Sequence, residues 1–82
     1  MINDEGQKVY RKLLYFYEKN LPVHFTIKST RAFKNGHIID LNPKKLTLVL
    51  VEFEEGELPF LCEDIYHDSI SQFKRKEESN DA

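Results

Sequence analysis

The chain has few residues of the kinds that build cross-linked scaffolds: its 82 residues include one cysteine and no tryptophan. Because the single thiol, Cys62, can form neither an internal disulfide nor a cysteine metal cluster, a disulfide-rich secreted domain is excluded. The longest apolar run, 46–51, is interrupted by Thr47 and is much shorter than a membrane span. Segment 1–6 is polar and acidic, unlike a signal peptide. These absences predict a cytoplasmic protein with no membrane partner.

An excess of positive charge is also missing, since the chain has 12 lysines and arginines and 14 acidic residues, which gives a net charge of −2. No overall positive field attracts a polyanion, so any nucleic-acid binding must come from a local patch. Six phenylalanines and four tyrosines, with 40% apolar residues, are enough for a core. We therefore expect one small domain over residues 1–74, followed by a mobile charged tail at 75–82.

The first segment has the apolar spacing of an amphipathic helix, predicted over residues 4–20. Val9, Leu13 and Phe16 recur at the helical period. Asp4 and Glu5 would lie at the positive end of the helix dipole, and Lys19 and Asn20 before Pro22 supply a stop.

After Pro22 the apolar period changes to two, which predicts a strand over 23–27. A second strand is expected over 31–41, with Phe33, Ile38 and Leu41 pointing inward. Asn35 and Gly36 interrupt it and allow two interpretations. They form either a hairpin turn or a bend inside one long curved strand, where a side chain at Gly36 would crowd a neighbouring strand. We favour the bend, because a hairpin would leave residues 23–35 as one overlong strand.

The rest of the chain is read as three further strands. A turn at 42–45 precedes the most apolar strand, 46–53, which we expect to be central. A glutamate-rich turn at 54–57 leads to a strand at 58–62, which is an edge strand or has the Pro59 nitrogen facing outward, since Pro59 cannot donate a hydrogen bond. A linker at 64–69 and a last strand at 70–73 follow. One helix and five short strands predict a mainly β fold, a strongly bent five-stranded antiparallel barrel over 22–74 whose exposed edges favour self-association.

Four segments carry a resemblance to a known family: the helix-to-strand step at 21–27, the glycine-containing strand at 36–42, the apolar strand at 46–50, and residues 56–65. Together they resemble an Sm-like or Hfq-like small barrel, an SH3-like architecture. The resemblance implies a ring-type homo-oligomer, usually of six or seven copies, whose subunits pair edge strands and bind RNA.

The residues of the family's RNA pocket differ in this chain. Thr47 stands where these proteins typically carry asparagine at the start of the third strand. The place of the arginine–glycine or lysine–histidine pair, before Ile65, holds Glu63 and Asp64. A pair of carboxylates repels phosphate, so we expect the standard uridine pocket to be absent or altered.

No pattern typical of catalysis is present, and we predict neither an enzyme nor a cofactor or metal. His24, His37 and His67 lie in separate segments, without the spacing of a zinc site. Pairing of Cys62 with His67 as a nucleophile has no fixed acidic partner to orient the histidine. The acidic cluster at 52–57 lacks calcium-loop spacing and is interpreted as a solvated hairpin, although it can also contact a basic protein.

A local basic patch is the candidate site for single-stranded RNA. It comprises Lys28, Arg31, Lys34, His37, Lys44, Lys45 and Thr47. Phe33, Tyr10, Tyr15 and Tyr66 are possible stacking platforms for bases, or else pack in the core. The sequence leaves a second function open, in which the same Sm-like fold binds other proteins as an assembly scaffold.

Overall fold

The structure, a computed structural model, describes residues 4–74 and contains one helix and five strands. The elements are α1 Asp4–Lys19, β1 Val23–Thr26, β2 Phe33–Asn42, β3 Thr47–Glu52, β4 Gly56–Leu61 and β5 Ser71–Gln72. Two 3-10 turns, Cys62–Asp64 and His67–Ser69, connect β4 to β5. The tail predicted at 75–82 lies outside the described residues.

The predicted amphipathic helix is confirmed, and its end has a clear local cause. Val9, Leu13 and Phe16 are buried. Asn20 adopts a left-handed backbone with φ 56°. Its N–H donates to the carbonyl of Tyr17 at 3.2 Å, and the N–H of Leu21 donates to that of Phe16 at 2.9 Å. This pair of bonds is a Schellman motif, which ends the helix before Pro22. Between residues 4 and 74, no helix is long and apolar enough to cross a membrane.

The strands form a single antiparallel sheet in the order β4-β3-β2-β1-β5. The predicted central position of β3 is confirmed, because it pairs with both β2 and β4. The predicted edge position of the strand that contains Pro59 is confirmed as well, since β4 is the first strand in the order. Helix α1 packs against β2 and the Cys62–Asp64 turn, so its apolar stripe completes the core of the sheet.

Gly36 lies inside one continuous strand, which confirms the bend and excludes the hairpin. It pairs with Val23 of β1 on one side and with Glu52 of β3 on the other. A Cβ atom at this position would overlap the carbonyl oxygen of Val51. The close approach of β3 therefore requires glycine here, and its absence of a side chain allows β2 to pair with both β1 and β3 at this position.

The inward position expected for Phe33 is wrong, because its side chain is 67% exposed. Side chains alternate between the two faces of a strand, and Gly36 and Ile38 are buried on the inner face. Residue 33 is an odd number of positions from both, so it lies on the opposite face of β2. The pairing register then shifts between Ile38 and Asp40, and this bulge returns Leu41 to the core. Strict alternation between Phe33 and Leu41 would place both side chains on one face, but the bulge between them breaks the alternation.

Candidate functional site

Lys28 follows β1, and its positive charge is already compensated by other side chains. Its Nζ forms an ion pair with Glu5 in the first turn of the helix. The same Nζ lies 5.9 Å from the ring centroid of Tyr66, a cation–π distance. Its side chain is 27% exposed. Lys28 therefore connects the helix to the turn after β1 and offers a phosphate little uncompensated charge.

Three further predicted residues lie before or within the first half of β2. The Nζ of Lys34 forms an ion pair with Glu55 Oε1 at 2.8 Å, and its side chain is only 15% exposed. Arg31 is exposed and has φ 63°. The ring of His37 meets the ring of Phe53 at 5.8 Å between centroids. The ion pair of Lys34 places part of the predicted basic patch in direct contact with the acidic hairpin.

The remaining predicted residues lie beyond the opposite end of β2. Asn42 Oδ1 accepts the N–H groups of Lys44 and Lys45, each at 2.9 Å, and this shapes the turn. Both lysines are exposed, and neither ammonium group has a partner among residues 4–74. Thr47 begins β3 opposite Asn42. The seven predicted residues thus divide between the two ends of β2, and only Lys44 and Lys45 are adjacent and unpaired.

The groups considered for catalysis or metal binding do not assemble into a site. Cys62 is completely buried, and burial raises the pKa of its thiol to about 11, so the reactive thiolate is disfavoured. His67 Nδ1 instead lies 3.0 Å from Asp68 Oδ1. Within the part of the chain that the structure describes, no three side chains are grouped to hold a metal ion.

A cluster of aromatic rings, two exposed and three partly buried, lies on the outer side of the sheet where β1, β2 and the end of β3 meet. We call it the aromatic face; its members are His24, Phe33, His37, Phe53 and Phe73. Ring centroids lie 5.5 Å apart for His24 and Phe33, and 5.3 Å apart for Phe53 and Phe73. Phe33 is 67% exposed and Phe53 is 46% exposed. The contacts form two groups, His24 with Phe33 and His37 with Phe53 and Phe73, and each group contains one exposed phenyl ring.

Asn35 holds the strands beneath this face in register. Its Oδ1 accepts a 2.6 Å hydrogen bond from His24 Nδ1, which fixes the proton of the imidazole on Nδ1 because a carbonyl oxygen can only accept. Its backbone carbonyl accepts the N–H of Phe53 at 3.0 Å. Asn35 therefore links β1 and β2 to the turn after β3 that carries Phe53.

Glu52 organises that turn from the end of β3. Its Oε1 accepts the N–H groups of Glu54 at 2.8 Å and Glu55 at 2.9 Å, and its Oε2 accepts the N–H of Asn35 at 3.4 Å. Burial of the carboxyl raises its pKa, but these three bonds and the charge of Lys34 together outweigh burial and hold the pKa below 4.5. The predicted solvated hairpin therefore contains one buried, ionised carboxylate that shapes it.

An open cavity of about 350 Å³ lies between the aromatic face and the turn that follows β3. We call it the aromatic–acidic cavity. Phe33, Phe53 and Phe73 line it together with Asn35 and three glutamates, residues 52, 54 and 55. The sequence predicted Phe33 as an inward residue or a platform for bases, and the cavity was not predicted. The alternation that runs back from Ile38 was the available signal, since it places Phe33 and Asn35 on one outer face.

Comparison of the chain with protein-family models, with curated proteins and with solved structures finds no match. The N-terminal helix and the five-stranded antiparallel sheet are observed, whereas the Sm-like family assignment stays a prediction. The function is therefore inferred from the surfaces of the chain itself.

Proposed function

We propose that the chain is a non-enzymatic protein-interaction and assembly module of Sm-like fold, which binds a protein partner through the aromatic face. The observation that carries this proposal is the exposure of Phe33 and Phe53, which line one cavity together with Phe73. Large exposed aromatic side chains are costly in water and are enriched at the centres of protein interfaces. Their grouping on one face, rather than scattering, favours a binding surface.

The charges around the aromatic face favour a protein over RNA as its ligand. Glu52, Glu54 and Glu55 border the rings, and the nearby ammonium of Lys34 is already paired with Glu55. Stacked bases would bring their phosphates close to these carboxylates, where repulsion opposes binding.

Paired variants of exposed aromatic residues test this assignment. Phe33→Ser removes the most exposed ring of the aromatic face, whereas Tyr15→Ser removes a ring that is 54% exposed on the helix. In affinity capture from cell extract, we expect proteins that bind the wild type and Tyr15→Ser to be lost from Phe33→Ser. If Phe33→Ser retains the same proteins, the aromatic face is not the docking surface.

Assembly is proposed through the two edges of the sheet. β4 and β5 stand at opposite ends of the strand order, and each lacks a second neighbour within the described sheet. Pairing of β4 from one copy with β5 of the next would satisfy both edges and repeat around a ring. Light scattering should give a mass several times the 9.7 kDa of one chain, six or seven times for an Sm-like ring. A monomer at every concentration would contradict assembly.

A second candidate function, binding of single-stranded RNA, is favoured by the turn between β2 and β3. Lys44 and Lys45 are adjacent and exposed, and their ammonium groups form no ion pair with residues 4–74. Two such charges beside Thr47 can contact successive phosphates. Light scattering with and without a short oligouridine tests this function, because bound RNA adds mass to the protein.

A further inference from the structure

We propose that the aromatic–acidic cavity binds the guanidinium group of an arginine side chain from a partner protein. This inference rests on the proposed function of the aromatic face as a docking surface and specifies the chemistry of its ligand. The cavity brings together two features that recognise organic cations: exposed phenyl rings and carboxylates.

The rings supply the first feature. Phe53 and Phe73 lie 5.3 Å apart between centroids with their planes inclined by 55°, and Phe33 lines the same cavity. The face of a phenyl ring carries the negative part of its quadrupole, so a cation above it is attracted. A volume of about 350 Å³ open to solvent admits the end of a long side chain without any rearrangement of the sheet.

The glutamates supply the second feature. Glu52 is held ionised by three backbone N–H groups, and Glu55 shares its charge with Lys34. The exposed carboxylate of Glu54 has no partner among the described residues. Three carboxylates and one ammonium group leave the cavity with an excess of negative charge, and Glu54 offers unoccupied acceptor oxygens to a donor.

The geometry favours arginine over other occupants. A guanidinium group is planar, stacks on aromatic rings and donates paired hydrogen bonds to a carboxylate. A quaternary ammonium group has no N–H to donate to Glu54. An apolar side chain would hold the carboxylates away from water without any compensating bond. The glutamate-rich hairpin of a second copy carries the same charge as the cavity, so like charges would oppose its insertion there.

Peptide titration followed by ¹⁵N NMR tests the assignment. The probes are acetylated, amidated pentapeptides of glycine and alanine with arginine, lysine, citrulline or leucine at the centre. We expect the arginine peptide to shift the amide signals of Phe33, Phe53 and Glu54, and to bind more tightly than the lysine peptide. Citrulline keeps the shape of the side chain without its charge, so its peptide should bind at least several-fold more weakly.

Matched variants locate the binding site. Glu54→Gln and Phe53→Ala should each weaken binding of the arginine peptide about two- to fivefold, the range for exposed ion pairs and cation–π contacts. Glu57→Gln removes an exposed carboxylate from β4, outside the cavity, and should leave the affinity unchanged. Equal loss of affinity in Glu54→Gln and Glu57→Gln would overturn the site, since binding would then follow overall charge.

The remaining outcomes separate this inference from the proposed function. If the leucine or citrulline peptide shifts the same amides as strongly as the arginine peptide, the aromatic face is a docking surface but the cation assignment is wrong. If no peptide binds and Phe33→Ser lowers the mass of the oligomer, a second copy covers the face and the inference is overturned. If no peptide binds and Phe33→Ser changes neither mass nor captured proteins, both proposals fail.

Discussion

Gly36 makes the sheet depend on the absence of a single side chain. It pairs with strands on both sides, and its Cα lies so close to β3 that a methyl group would overlap the Val51 carbonyl. Since the obstacle is backbone, the sheet cannot relieve the overlap by a change of rotamer. We predict that Gly36→Ala lowers the free energy of unfolding by about 3 kcal/mol or more, as in severe overpacking.

Urea denaturation of Gly36→Ala and Gly56→Ala provides the comparison. Gly56 has φ 83°, but no atom lies within 4 Å of the position of an added Cβ. Its replacement should therefore cost only the conformational penalty, about 1–2 kcal/mol. If the two variants are equally stable, the close approach of β3 is not what requires glycine at position 36.

Glu52 makes the stability of the fold sensitive to acid. Its pKa in the folded protein lies below 4.5, the ordinary value. A depressed pKa means that the stabilising contribution is fully present above the unfolded pKa and is lost as the pH falls through the folded pKa. We predict that Glu52→Gln lowers the free energy of unfolding by about 1–3 kcal/mol at pH 7, and that this difference from wild type shrinks below about pH 4.5.

The measurement is urea denaturation of wild type and Glu52→Gln between pH 3 and pH 7. Glu57→Gln serves as the control, because Glu57 is exposed on β4 and accepts none of the turn hydrogen bonds that Glu52 accepts. The control should lie close to wild type throughout. A difference between Glu52→Gln and wild type that stays constant across this range would show that ionisation of Glu52 is not the source of its contribution.

At the scale of elements, helix α1 contributes buried side chains to the hydrophobic core. Leu13 is completely buried, and the stripe it belongs to packs against β2 and the Cys62–Asp64 turn. We predict that Leu13→Ala lowers the free energy of unfolding by about 2–5 kcal/mol, since it leaves a cavity between helix and sheet. Glu18→Ala, on the exposed side of the same helix, should change it by less than about 0.5 kcal/mol.

Thermal and urea denaturation followed by circular dichroism check this prediction. The helical and sheet signals should be lost together in both variants, as in a single cooperative unit. Loss of the helical signal of Leu13→Ala well before that of the sheet would mean that the sheet is stable without its helix.

The order of elements could be predicted because it depends on local patterns. The helical period of Val9, Leu13 and Phe16 and the stop at Asn20 are properties of neighbouring residues, and so is the alternation of β3. Gly36 could be interpreted correctly because a hairpin there would have required an overlong strand. The face of β2 that Phe33 occupies could not be predicted by counting from Leu41, because a bulge changes the parity of a strand without a clear signal in the sequence.

The candidate site was mostly beyond prediction from the sequence, because it depends on contacts between distant segments. Phe33, Phe53 and Phe73 come together only when β2, the end of β3 and the residues after β5 are placed. The pairing of Lys34 with Glu55 spans 21 residues, and that of Lys28 with Glu5 joins helix to sheet. A list of charges along the chain contains no information on which of them neutralise each other.

At the scale of the whole molecule, an acidic surface and a pair of unpaired lysines lie at opposite ends of β2, and they favour different ligands. The aromatic–acidic cavity lies by the turn after β3, and the unpaired Lys44 and Lys45 lie at the far end of β2. With a net charge of −2, the chain as a whole repels a polyanion. RNA binding at the turn between β2 and β3 has to depend on those two lysines, and its strength has to depend on salt.

This dependence leads to a quantitative prediction for RNA. If Lys44 and Lys45 each neutralise one phosphate, the logarithm of the binding constant should fall with the logarithm of salt concentration by a slope of about 1.4 per bound chain. Fluorescence anisotropy of labelled oligouridine at several salt concentrations measures this slope. Reversal of both charges, Lys44→Glu with Lys45→Glu, should abolish binding, while reversal at Lys28 should have little effect because Glu5 already compensates its charge. RNA affinity that survives reversal of Lys44 and Lys45 would rule out this turn as the binding site.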